Sequence, residues 1–256
     1  MRKPVVGISY KTYINSVEKA SSVARALVDV SGMDRDVEQV VFPSLGVFSS
    51  VAKELEGSEI AFGAQNISPY KEGAYTGEVS IVSIKEQGGQ YVEIGHAERK
   101  RIFHETQDMI NLKTKLTLES GLIPFLCIGE EEKLERKEEK TAILKDQISQ
   151  SLHNIEDSLV KNTVLAYEPV WAIGQAEAAD ATYVHQTHEM IRDILEDLYG
   201  KEIAEQIRVI YGGSVSKDNA PSIVSNPNVD GVFIGRFGHD PANFRKIVDI
   251  VKEAKL

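Results

Sequence analysis

The chain has 256 residues, 42% of them hydrophobic and 27% charged, a balance that argues against a disordered chain and a length that suits one large globular domain or two small ones. Its 29 Lys and Arg against 39 Asp and Glu leave a net charge of −10, which argues against nucleic acid or an anionic membrane as partner. The single cysteine excludes an intrachain disulfide, no apolar window is long enough to cross a membrane, and the start MRKPVVGISYKT lacks a signal-peptide pattern, so a cytoplasmic location is expected.

Taken in chain order, short apolar runs recur at Pro4–Ser9, Val37–Phe42, Ile60–Ala64, Tyr91–Ile94, Ile123–Ile128, Thr163–Tyr167, Arg208–Gly212 and Gly231–Ile234. Several are apolar almost throughout, the mark of strands buried on both faces. Between them lie stretches with apolar residues at helical spacing: Ser16–Val30 (Val17, Ala20, Val23, Ala24, Leu27), Lys140–Leu152, Asp180–Leu198 with Asp180 as N-cap, and Phe244–Val251. The charge run Gly129–Lys140 predicts a solvated loop and helix start. Strands alternating with helices make βα units. Eight of them in this length predict an α/β chain that forms a single (β/α)₈ barrel over residues 1–256. The rival, an open doubly wound sheet, would carry a glycine-rich dinucleotide turn after the first strand, and GISYKTY is not one.

Such a barrel places its chemistry at the C-terminal ends of its strands. Lys11 after the first run is a candidate cation for an anionic substrate or an ordinary surface lysine. His96 follows Gly95 where a helix begins. A helix N-terminus disfavours an imidazolium, so a neutral His96 could donate to a substrate oxygen or simply cap the helix. Glu168 after the sixth run is a candidate general base. The apolar Pro169, Val170, Trp171, Ala172 and Ile173 that follow read equally as a lid over substrate or as a loop packed on its neighbour. Glycine-bearing turns at Tyr211–Val215 and Ile234–Arg236 make a candidate phosphate nest. His104, His153, His185, His188 and His239 show no ligand spacing, so no metal site is read. Cys127 is read as a buried small hydrophobe.

The motifs IGHAER (Ile94–Arg99), CIGE (Cys127–Glu130), AYEPVWAIG (Ala166–Gly174), YGGSV (Tyr211–Val215) and DGVFIG (Asp230–Gly235), with GAQN (Gly63–Asn66) and GAYTGE (Gly73–Glu78), resemble the triosephosphate isomerase family over essentially the whole chain. The resemblance implies a cofactor-free sugar-phosphate isomerase working through an enediol. Glu168 would be the base, neutral His96 the proton shuttle, and Lys11 the cation that stabilises the developing charge. It also implies a phosphate held by Gly174, Ser214 and the Gly235 turn, and a homodimer whose Tyr75–Thr76 loop reaches into the partner. Three departures from the family pattern stand out: Ser9-Tyr10-Lys11 where Asn-Trp-Lys is usual, Arg236 where a second glycine is usual, and Gln175-Ala176-Glu177 at the end of the apolar segment where Thr-Gly-Lys is usual. The serine and the arginine resemble the erythrulose-1-phosphate isomerase branch. Ser9 would then line a roomier substrate pocket, and Arg236 would contact phosphate or point to solvent. Triosephosphate isomerisation, and a sugar-phosphate-binding barrel without catalysis, are the alternatives.

Overall fold

Residues that are apolar on both strand faces can be satisfied only between two layers, and the molecule supplies both. The computed structural model describes residues 2–173 and 179–256. In it β1 (Val5–Ser9), β2 (Glu38–Phe42), β3 (Ile60–Ala64), β4 (Tyr91–Ile94), β5 (Ile123–Ile128), β6 (Val164–Tyr167), β7 (Arg208–Tyr211) and β8 (Gly231–Ile234) close into a parallel barrel. Each strand pairs with the next, and β1 closes the ring on β8 with Val5 beside Gly231 and Ile8 beside Ile234. Strands β3, β4, β5 and β8 match the apolar runs to the residue, and the other four are one residue shorter at one end. Pro4, for instance, has no N–H to give to a ladder.

The helices are α1 (Val17–Ser31), α2 (Phe48–Leu55), α3 (Ile81–Glu86), α4 (Ala97–Phe103), α5 (Gln107–Glu119), α6 (Lys137–Ser151), α7 (Asp157–Val160), α8 (Ala181–Ala204), α9 (Ala220–Val224) and α10 (Pro241–Lys255). Ser16 caps α1 by accepting from Lys19 N, and Asp180 caps α8 by accepting from Tyr183 N, the latter as the sequence predicts. Val17, expected on the buried face of α1, is exposed; Ala20, Ala24 and Leu27 carry that face. Helix α8 runs past its expected end at Leu198, and its path kinks at Gly200.

Alternate strand residues divide the core in two. Val5, Phe42, Tyr91, Phe125, Ala166, Ile210 and Phe233 fill the barrel, with Phe125 edge-on to Phe42 at 5.1 Å and to Phe233 at 4.9 Å between ring centres. Their neighbours Val6, Ile8, Val92, Leu126, Leu165 and Val209 face outward onto the helices. The interior is thus packed with side chains.

The charge run Gly129–Lys140 corrects the sequence reading at its two ends. Its middle is solvated as expected, but Glu130 and Lys140 are buried. Glu130 accepts from Tyr167 Oη at 2.9 Å, Trp171 Nε1 at 3.0 Å and Tyr183 Oη at 2.8 Å. Lys140 donates to Thr187 Oγ1 and lies 3.6 Å from the Tyr183 ring centre.

Candidate active site

The strand ends β1, β4, β6, β7 and β8 converge on one cavity of about 640 Å³, lined by Ser9, Lys11, His96, Glu168, Ser214, Gly235 and Arg236 among others. Lys11 follows β1 with a φ of 45°, a left-handed conformation that costs a non-glycine residue on the order of 1 kcal/mol or more. Gln65 Nε2 pins that backbone, donating to Lys11 O at 3.1 Å and Phe42 O at 2.9 Å. The ammonium reaches Glu98 Oε1 at 2.5 Å. Burial pulls the Lys11 pKa down, but the hydrogen bond and charge of Glu98, with Glu168 and Glu93 beyond, outweigh it and leave it raised.

Gly95, at φ 72°, turns the chain sharply out of β4, and His96 becomes the N-cap of α4. Its Nδ1 accepts from Glu98 N at 3.1 Å, which puts the ring proton on Nε2. Nε2 in turn lies 3.6 Å from Glu168 Oε2. Burial, then the charge of Lys11, pushes the His96 pKa far below that of an ordinary histidine, so the ring is neutral.

Glu168 leaves β6 with its N–H on Ile128 O at 2.7 Å. Gly212 lies against it so closely that a Cβ there would be 2.5 Å from Glu168 Cγ. Its Oε2 is buried and has no hydrogen-bond partner among the described residues. Burial, then the negative charge of Glu93, lifts its pKa to about 8. The site therefore holds a neutral hydrogen-bond donor, a cation and a carboxylate whose basicity is raised, all facing one small volume.

A sequence model of the triosephosphate isomerase family matches residues 4–251. The chain belongs to the triosephosphate isomerase family. It is an isomerase of the intramolecular oxidoreductase kind. It is 46% identical over 255 residues to a "Probable triosephosphate isomerase 2" of Listeria monocytogenes, covering 100% of both chains. It is 45% identical to a "Triosephosphate isomerase 2" of Listeria innocua, again over 100% of both. It is 38% identical to a "Triosephosphate isomerase" of Syntrophotalea carbinolica, over 97% of this chain and 98% of the other.

In this member of the triosephosphate isomerase family, Pro169–Ile173 is packed rather than solvent-facing: Val170 and Ala172 are buried, and Trp171 and Ile173 are half-buried. Val170 N donates to Glu130 O at 2.9 Å, and Ser214 Oγ donates to Ala172 O at 3.1 Å. Gly174 lies outside the described residues. Arg236 is exposed at the cavity rim, its guanidinium 5.5 Å from the centre of the Tyr13 ring. Tyr75 and Thr76 are not part of the cavity; they sit on an exposed loop where Tyr75 stacks on Tyr70 at 4.3 Å.

Four residues that serve the site were not singled out by sequence. Glu98 and Gln65 lie inside recognised motifs, yet their role is to hold Lys11, a partner 87 and 54 residues away. Glu130 sat in a charge run that read as solvated, although Tyr167 and Trp171 in the next motif were available as donors. Glu93 had one signal, an acidic residue inside an otherwise apolar strand.

Proposed function

We propose that this protein interconverts L-erythrulose 1-phosphate and D-erythrulose 4-phosphate through an enediol, without a cofactor, as a cytoplasmic homodimer. The observation that carries the chemistry is the placement of neutral His96 Nε2 3.6 Å from a buried Glu168 oxygen in a cavity shared with Lys11. Glu168 takes the proton from the carbon beside the carbonyl. The released electron pair forms the carbon–carbon double bond as the carbonyl oxygen takes the Nε2 proton of His96. His96 then recovers a proton from the neighbouring hydroxyl, and Glu168 returns its proton to the former carbonyl carbon. Lys11 offsets the negative charge on the oxygens. Ser214, the Gly235 turn and Gly174 hold the phosphate through backbone N–H groups, and Arg236 adds charge at the rim. Gly235 is exposed at the cavity wall, and a Cβ there would meet nothing within 4 Å. Pro169–Ile173 serves as the lid.

The choice of a four-carbon substrate rests on Ser9 and Arg236, the departures nearest the reacting carbon and the phosphate. The dimer rests on the exposed Tyr70, Tyr75 and Thr76 beside the barrel mouth. The test of the mechanism is exchange in deuterated water. Wild type should place deuterium at the carbon beside the carbonyl, and Glu168→Gln should not; equal labelling by both would remove Glu168 from the reaction. The names of the relatives favour a second reading, interconversion of glyceraldehyde 3-phosphate and dihydroxyacetone phosphate by the same residues.

A further inference from the structure

Glu93 is a buried carboxylate that the reaction above leaves unused. Strand parity places it. Tyr91 packs inside the barrel against Phe42 and Phe125, so Glu93, two residues on in β4, points into the same interior one layer nearer the mouth. In β1 a Cβ on Gly7 would meet the interior rings of Phe125 and Phe233 at 2.9 Å, so Ser9, two residues on, also faces inward. The two side chains meet there. Ser9 Oγ donates to Glu93 Oε2 at 3.2 Å, and the residues are 3% and 4% exposed. Ser9 lines the catalytic cavity, and its carbonyl is held by a ring nitrogen of His239 at 2.9 Å.

A serine hydroxyl has one proton to give and two lone pairs to offer. With that proton committed to a carboxylate, Ser9 Oγ presents only lone pairs to the cavity. A carbonyl, enolate or phosphate oxygen would be repelled there, whereas a hydroxyl would donate. We propose that Ser9 and Glu93 form a hydroxyl-recognition subsite, which selects a substrate bearing a hydroxymethyl group on the reacting carbon. The inference rests on the four-carbon reading above and supplies its specificity determinant. Burial raises the Glu93 pKa to about 7, against the pull of Lys11 and the Ser9 hydrogen bond, so the carboxylate is ionised in mildly alkaline solution.

The test compares L-erythrulose 1-phosphate with its 4-deoxy analogue, which lacks that hydroxyl, using the full chain at about pH 9, where Glu93 is charged. The readout is the ratio of the two kcat/KM values, which does not depend on the fraction of folded enzyme. Wild type should favour the hydroxylated substrate by about 100-fold, because the analogue leaves Ser9 and Glu93 without their donor. Ser9→Ala and Glu93→Leu should each cut that ratio at least tenfold. Glu93→Gln, whose amide oxygen still accepts from Ser9, should retain more of it than Glu93→Leu. A smaller drop in either of the first two variants, or a wild type indifferent to the hydroxyl, overturns the subsite. The four-carbon reading fails separately, if wild type turns over glyceraldehyde 3-phosphate better than L-erythrulose 1-phosphate.

Discussion

Glu168 combines a buried oxygen that has no hydrogen-bond partner among the described residues with a carboxylate neighbour, and both conditions favour its protonated form. A base must be ionised, so the acid limb of the kcat/KM profile should lie near 8 rather than at the ordinary carboxylate value of 4.5. Glu93→Gln removes the negative neighbour and should move that limb to lower pH; an unmoved limb would mean that Glu93 does not act on Glu168. The same shift has a stability sign. A raised folded pKa means that the folded state binds the proton more tightly than the unfolded chain. Its contribution is therefore full below 4.5 and is lost as pH rises through about 8. Glu168→Gln should accordingly raise Tm over wild type at about pH 9 and by less at about pH 4, while lowering kcat by about 10²-fold to 10⁴-fold or more. At this scale the sequence showed Lys11, His96 and Glu168 because each stands where an apolar run ends. It hid Glu98, Gln65 and Glu93 because their partners lie 87, 54 and 84 residues away and meet only once the barrel closes.

Elements hold those side chains in register, and Gly212 is the tightest point. Its missing Cβ leaves room for the Glu168 carboxyl, so Gly212→Ala should push that group aside, lowering kcat at least about tenfold with an unchanged far-UV spectrum. Unaltered kcat would show that the carboxylate has slack that the packing denies. The segment Val170–Ala172 is anchored by Trp171 Nε1 on Glu130 Oε1 at 3.0 Å. Trp171→Phe keeps the ring and loses that bond, and should make the segment more sensitive to limited proteolysis in the absence of substrate. Strands were legible to within one residue because burial on both faces leaves little freedom in their composition. Helix ends were less so: α6 begins three residues before its predicted Lys140 start, since exposed first turns carry polar residues that a loop would also accept. Whether Val170 and Trp171 face solvent or pack could not be read locally, because their partner Glu130 belongs to the preceding βα loop.

For the molecule as a whole, the end opposite the site is locked by Asp230. It accepts from Arg2 Nε at 2.7 Å and from Val209 N at 2.7 Å, and it pairs with Arg192. The pair joins α8, β7 and the N-terminal segment, so Asp230→Ala strands a largely buried guanidinium. It should cost about 3 kcal/mol in denaturant unfolding while leaving KM unchanged. The net charge of −10 and an anionic substrate are compatible because Lys11 and the glycine-turn amides act within a few Å, and acidic surface beyond about 8 Å is largely screened. The decisive measurement is a comparison of kcat/KM for L-erythrulose 1-phosphate and glyceraldehyde 3-phosphate on one preparation of the enzyme. The higher value should belong to the four-carbon substrate; a higher value for the triose would refute the four-carbon assignment.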